Sequence, residues 1–69
     1  MSLVVFDLTS RQRFVYDGEG RVVALVSRSE VISYFYGYKE RPHLVSHAHF
    51  SLGDVAYKLF YDDRDRQML

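Results

Sequence analysis

The sequence predicts a small α+β domain, in which a four-stranded, mostly antiparallel sheet carries one or two helices on one face in the order β-β-β-α-β-α. Three observations lead to this prediction. Residues rich in β-formers flank a glycine-containing turn in the first half of the chain. Two serines precede apolar stretches with the spacing of a helix cap. The only proline, Pro42, divides the 69 residues into halves that are each too short to fold alone, so residues 1–69 are expected to form one domain.

The first three elements are predicted strands. Residues 2–9 (SLVVFDLT) form the first one. Residues 11–27 form a hairpin, because two β-rich runs flank the tetrapeptide at positions 17–20 (DGEG), whose glycines can adopt positive φ. The second run of the hairpin, RVVALV, is apolar on both faces, which is typical of a strand in the interior of a sheet.

Residues 27–37 predict a short helix. Ser27 and Glu30 have the spacing of a capping box, and Gly37 can end the helix. Between them, one helical face would hold Val31, Ile32 and Phe35. The same residues are rich in β-formers, so a strand is the alternative.

The second half of the chain predicts one more strand and one more helix. Residues 43–50 (HLVSHAHF) alternate and are bounded by turn residues, which favours a strand. In residues 51–61, Ser51 and Asp54 repeat the cap spacing, and an amphipathic helical stripe would contain Leu52, Val55, Ala56, Leu59 and Phe60. The alternative is a hairpin that turns at residues 51–54 and continues as a strand.

Three histidines in residues 43–50 raise the question of a metal site. On a strand, the Cα atoms of His47 and His49 lie about 6.6 Å apart, so both imidazoles can reach one Zn²⁺, whereas His43 is too far away. The sequence places no third ligand beside them. We therefore expect a polar strand face without metal or cofactor, with His47 and His49 as the candidate ligands if a metal does bind.

Charge and composition restrict the compartment and the partners. Nine Lys and Arg balance nine Asp and Glu, so the chain lacks the positive field that draws a protein to nucleic acid. Its start has no cationic leader, and no run approaches the ~20 apolar residues that a membrane span needs. With no cysteine either, the chain is expected to be cytoplasmic and to have no membrane partner.

The residue types predict a binding protein rather than an enzyme. The chain has no cysteine nucleophile, no G-x-S-x-G motif and no glycine-rich phosphate loop. It does have eleven aromatic residues, more than a thin core can bury. We therefore predict a small non-enzymatic regulator or adaptor that binds another protein and also itself, as a homodimer. Its predicted contact surface consists of Tyr34, Tyr36, Tyr38 and Arg41.

The alternative function is nucleic-acid binding by the hairpin at residues 11–28. There, guanidinium groups that could track phosphates accompany rings that could stack on bases, namely Arg11, Arg13, Phe14 and Tyr16. No internal repeat, linker or low-complexity segment is apparent in the sequence.

Overall fold

All regular structure in the computed structural model is β-sheet. The structure describes residues 3–7 and 11–68, with side chains from residue 11 onwards, and no helix occurs among these residues. The strands are β1 (Leu3–Asp7), β2 (Gln12–Tyr16), β3 (Val22–Val26), β4 (Val31–Phe35), β5 (His47–Phe50), β6 (Val55–Lys58), β7 (Phe60–Tyr61) and β8 (Gln67–Met68).

The first six strands form one antiparallel meander. Their order in the sheet is their order in the chain, β1 to β6, whereas β7 and β8 pair with each other in a small second sheet. The predicted hairpin is confirmed, and β3 lies in the interior of the sheet as expected. Each described strand contacts only its neighbours in this order, so within residues 3–7 and 11–68 no second layer of strands covers the sheet.

The register of the meander gathers apolar side chains on one face. Direct cross-strand partners share a face of the sheet. One such row crosses β2 to β6 and a second crosses β4 to β6, and we call their eight residues the aromatic face: Phe14, Leu25, Ile32, Phe50 and Val55, with Tyr34, Ala48 and Tyr57. The rings of Phe50 and Tyr57 meet edge to face with centroids 5.4 Å apart.

The opposite face of the sheet is mixed in character. Its rows combine charged, polar and apolar side chains, including Arg13 with Val26 and Val31, Ser33 with His49 and Ala56, and Phe35 with His47 and Lys58. The two faces therefore differ in chemistry, although neither is covered by another described strand.

The prediction of a helix at residues 27–37 is wrong. Ser27 does not cap a helix, because its amide and its hydroxyl both donate to the carbonyl of Glu30 and so close a tight turn between β3 and β4. Val31 and Ile32 then point to opposite faces of β4. The β-forming composition decided the outcome, and the strand alternative was right.

The prediction of a helix at residues 51–61 is also wrong. Gly53 and Asp54 both have positive φ, 82° and 52°, which no right-handed helix tolerates. The amide of Asp54 donates to the carbonyl of Ser51, so residues 51–54 form the turn of the hairpin that was the alternative. β6 follows, and the predicted fourth strand at 43–50 shortens to His47–Phe50.

The α+β fold class is therefore corrected to all-β. Without the predicted helices over the sheet, the core is thin. Among the residues whose side chains are described, only Ser46 and Ala48 are buried. The strands β2 to β4 are half-buried along most of their length, whereas every residue of β6 is exposed. The sheet thus aligns apolar side chains on one face, and no other element among residues 3–7 and 11–68 covers that face.

Candidate protein-contact surface

A ring of hydrogen bonds around Asp17 builds the turn between β2 and β3. One carboxylate oxygen of Asp17 accepts from the amides of Glu19 and Arg21 at 2.9 and 3.0 Å, and the other accepts from Arg21 Nε at 2.8 Å. The backbone adds bonds from the amide of Asp17 to the carbonyl of Arg21 and from Gly20 to Asp17. Gly20 has a φ of 83°, which favours glycine at this position.

The turn between β7 and β8 repeats this arrangement bond for bond. One oxygen of Asp62 accepts from the amides of Arg64 and Arg66, both at 2.9 Å, and the other accepts from Arg66 Nε at 2.7 Å. The backbone bonds between Asp62, Arg66 and Asp65 have the same pattern, and Asp65 takes the positive φ, 62°, that Gly20 has in the first turn. We call residues 16–21 and 61–66 the first and second Tyr-Asp turns.

The prediction that the chain contains no internal repeat is thus wrong. Both turns read Tyr-Asp-x-x-x-Arg, forty-five positions apart. The shared tyrosine, aspartate and arginine were the available signal. It is weak because the three residues between the aspartate and the arginine differ completely, and the hydrogen bonds depend on their backbone rather than on their side chains.

The segment that connects β4 to β5, residues 36–46, contacts the first turn. Arg21 donates through Nη1 to the carbonyl of Pro42 at 2.8 Å, and its guanidinium lies 4.6 Å from the centre of the Tyr36 ring. The hydroxyl of Tyr36 donates to the carbonyl of Val22 at 2.5 Å. The first hairpin therefore donates a hydrogen bond to the connecting segment and accepts one from it.

The same connecting segment contacts the second turn from its other side. Arg41 donates through Nη1 to the carbonyl of Asp62 at 2.6 Å and lies 3.5 Å from the carboxylate of Asp65. Tyr38 donates its hydroxyl to the carbonyl of Leu59, and its ring meets the ring of Tyr61 edge-on at 6.2 Å. An open groove of about 450 Å³ lies here, lined by residues 37–41 together with Phe60 and Tyr61.

Three of the four predicted contact residues have partners within the chain. Tyr36, Tyr38 and Arg41 lie together in the connecting segment and make the contacts just described, whereas Tyr34 lies on β4 in the aromatic face. Five large apolar side chains that were predicted to form the apolar faces of the two helices are in fact exposed: Val31, Phe35, Leu52, Val55 and Phe60. Tyr57 and Met68, which the sequence did not single out, are exposed as well. Protein contact through the four predicted residues stays a prediction.

The predicted nucleic-acid residues are divided between the two faces. Arg13 and Phe14 are adjacent on β2 and so point in opposite directions, with Phe14 in the aromatic face. Arg11 and Arg13 instead line a shallow depression of about 350 Å³ with Val26, Ser27 and Arg28. Tyr16 ends β2 at the first Tyr-Asp turn.

The histidines find separate partners. His49 Nε2 lies 2.7 Å from Asp54, and His43 Nε2 lies 2.9 Å from Asp65, outside any strand. His47 Nδ1 lies 2.9 Å from the hydroxyl of Ser46. Within the described residues no three histidine or acidic side chains gather closely enough to hold a metal ion.

The Tyr-Asp turns also set the electrostatics of their aspartates. The amide of Arg21 lowers the pKa of Asp17 below its ordinary value, and the amide of Glu19 and the Arg21 guanidinium act in the same direction. The amide of Arg66 lowers the pKa of Asp62 in the same way, with help from the amide of Arg64. Burial raises the pKa of the Tyr36 and Tyr61 hydroxyls, which favours their role as donors.

Comparison with known proteins adds one resemblance. Over 60 residues, 80% of this chain, it is 42% identical to Teneurin-m of Drosophila melanogaster, and over 53 residues, 77% of the chain, it is 43% identical to Teneurin-1 of Caenorhabditis elegans. The chain is similar to a short segment of teneurins. It spans only about 2% of the length of either protein, so the matched segments lie within far longer polypeptides.

The other comparisons found no match. No protein-family model matches the chain, and no solved structure does. Among the described residues there is also no helix of the length and apolar character that a membrane crossing requires. The predicted small α+β regulator is therefore wrong in its fold, and its dimeric state and cytoplasmic location gain no support from the teneurin resemblance.

Proposed function

We propose that this chain is a β-sheet repeat module that binds protein, and that a further β-sheet segment carrying the same Tyr-Asp turn packs on its aromatic face. The observation that carries the proposal is the uncovered sheet. Eight side chains align on one face across β2 to β6, yet only Ala48 among them is buried. A sheet with one apolar face normally buries that face against another element.

Exposed apolar side chains on this face would contribute binding free energy if a partner covered them. Tyr57 is 55% exposed on β6, next to Val55 at 38%. Covering the exposed part of one such side chain is worth about 1 kcal/mol. Tyrosine is also enriched at protein interfaces, because it brings a large contact area with few rotatable bonds.

Two observations support a β-sheet segment as the occupant. The chain already contains two copies of one turn, and contacts in repeat proteins run mainly between neighbouring units. The matched teneurin segments are also embedded in polypeptides of which they form about 2%, so further sequence adjoins them there. A single repeat unit rarely buries its own apolar face, which is why such units stack.

A binding role agrees with how the polar groups are used. Ser46 is 1% exposed, and its hydroxyl bonds to the carbonyl of Phe35 and the amide of Gly37, so it cannot reach a substrate. The carboxylates of Asp17 and Asp62 are bound within their turns. These groups maintain the backbone, as those of a structural module do.

Nucleic-acid binding is not the function we propose. The chain carries no net charge, and Arg13 and Phe14, which were predicted to act together, lie on opposite faces of β2. A surface that stacks bases needs its rings and its cations on one side.

Photo-crosslinking from two adjacent positions tests the proposal. Benzoylphenylalanine is introduced at position 57 or at position 58 of the gene in its source cell. Both side chains are exposed on β6, but Tyr57 belongs to the aromatic face and Lys58 to the opposite one. We expect position 57 to crosslink, several times more than position 58, to a peptide that carries or adjoins a Tyr-Asp turn, identified by mass spectrometry.

Two results would contradict the proposal. No crosslink from position 57 would mean that the aromatic face stays open to solvent. Crosslinks confined to proteins without a Tyr-Asp turn would mean that the occupant is of another kind.

A further inference from the structure

The two Tyr-Asp turns share their hydrogen bonds to the aspartate, but their arginines differ in their other contacts. Within the first turn Arg21 also pairs with Glu19 at 2.9 Å, whereas the equivalent position of the second turn is Arg64. Arg21 bonds its own aspartate and also reaches the Pro42 carbonyl and the Tyr36 ring, and its side chain is 29% exposed. Arg66 bonds its own aspartate in the same way, but its side chain is 69% exposed. Among the described residues, Asp62 is its only partner.

The contacts made by Arg21 belong to a directional pattern. Arg21 donates to the carbonyl of Pro42, and Arg41 donates to the carbonyl of Asp62; in both cases the acceptor lies 21 positions further along the chain. Each arginine therefore ties its own segment to the segment that follows it.

Two tyrosines make return contacts, whereas Tyr38 donates forward to the carbonyl of Leu59. Tyr36 donates back to the carbonyl of Val22, and Tyr61 donates back to the carbonyl of Val45. The first turn, the connecting segment and the second turn are thus linked by Arg21 and Arg41, which donate forward, and by tyrosines that donate in both directions. Arg66 is the third arginine in this series, and the chain described here provides no forward acceptor for it.

We infer that Arg66 is a docking residue that binds the backbone carbonyl and the tyrosine ring of a further turn segment, as Arg21 binds Pro42 and Tyr36. This inference rests on the proposed function and names the chemistry of the partner. The planar guanidinium suits the role, because it can hold Asp62 through Nε while its terminal nitrogens bond a carbonyl and its face covers a ring. A lysine ammonium cannot make these contacts together.

An extended chain tests the inference with an internal reference. The two turns are offset by 45 positions, so Leu69 corresponds to Ala24. A copy of residues 25–46 joined after Leu69 therefore places a second Tyr36 and a second Pro42 where the pattern requires them. Amide hydrogen exchange then reports whether the added segment is ordered.

We compare Arg66→Gln, Arg66→Lys and the control Arg64→Gln, which removes a neighbouring exposed arginine, in the extended chain. Both Arg66 variants should lower the exchange protection of the added segment about tenfold, the size expected for loss of a charge-assisted hydrogen bond. Arg64→Gln should leave it unchanged. Arg21→Gln should lower protection of the original connecting segment by a similar factor.

The outcomes separate this inference from the proposed function. If the added segment is ordered and its exchange protection is unchanged in both Arg66 variants, the docking role is overturned but the proposed β-sheet partner is not. An Arg66→Lys variant that behaves as wild type would overturn the guanidinium contacts. An added segment that exchanges freely in every variant would count against the proposed partner itself and against the docking role with it.

Discussion

At the scale of single residues, two aspartates fix the shape of the chain where it reverses direction. Asp17 and Asp62 each accept two backbone amides and one guanidinium nitrogen. Aspartate is favoured in turns because its short side chain can bond the backbone two residues on. Here it also bonds the amide four residues on, so that one side chain holds the whole reversal.

These aspartates predict a dependence of stability on pH. Their folded-state pKa values lie below the ordinary value, so on acidification the unfolded chain takes up protons first. The stabilisation is complete above the unfolded pKa of about 3.9 and is lost as the pH falls through the lower folded value. Urea unfolding between about pH 5 and pH 2 should therefore show stability falling towards acid, with a smaller decline in Asp17→Asn.

The control for this prediction is Asp63→Asn, which removes the same charge from an exposed neighbour of Asp62 without removing those hydrogen bonds. If Asp17→Asn and Asp63→Asn reduce the pH dependence equally, the hydrogen-bonded ring around Asp17 is not its source.

Turn chemistry also explains what the sequence could and could not predict. The glycines at positions 18 and 20 predicted the hairpin correctly, and Gly20 takes the positive φ that the turn requires. Ser27 and Ser51 misled, because a serine bonds a nearby amide or carbonyl in a tight turn as readily as at a helix cap. In the structure Ser27 bonds the Glu30 carbonyl, and Ser51 accepts from the amide of Val31 on another strand. That second contact spans twenty residues and leaves no local signal.

At the scale of the elements, Ser46 joins β4 to β5. Its hydroxyl donates to the carbonyl of Phe35 and accepts from the amide of Gly37, and its own amide also bonds Phe35. A Cβ atom on Gly37 would lie 3.0 Å from the Ser46 hydroxyl, so the two backbones approach closely here. The alternation of residues 43–50 predicted a strand here, but it could not show that the strand begins only at His47.

Replacing Ser46 should therefore be costly for so small a side chain. Ser46→Ala removes a buried hydroxyl that bonds both the Gly37 amide and the Phe35 carbonyl, and should reduce the free energy of unfolding by about 1–3 kcal/mol. Chemical denaturation followed by circular dichroism measures this. Ser29→Ala, at an exposed position, should change it by less than about 0.5 kcal/mol. Equal effects of the two variants would contradict the role given to the Ser46 hydroxyl.

At the scale of the whole molecule, stability depends on neighbours in sequence. Each described strand of the meander pairs only with its neighbours in the chain order, and the second Tyr-Asp turn contacts the rest through the connecting segment. Composition correctly indicated a thin core. It could not predict the aromatic face, because that face depends on the register of five strands.

This architecture predicts graded rather than uniform opening. Amides of β2 to β5, which have a strand on either side, should exchange slowest. Amides of β7 and β8 should exchange early, because chiefly side-chain contacts hold these strands to the sheet. Arg41→Gln should then speed exchange at residues 60–68 about tenfold, since it removes a charge-assisted hydrogen bond, and should leave β2 and β3 unaffected. Hydrogen exchange read by nuclear magnetic resonance resolves these amides individually. Equal acceleration in β2, β3 and residues 60–68 would mean that the chain opens as one cooperative unit, and the repeat description of its stability would fail.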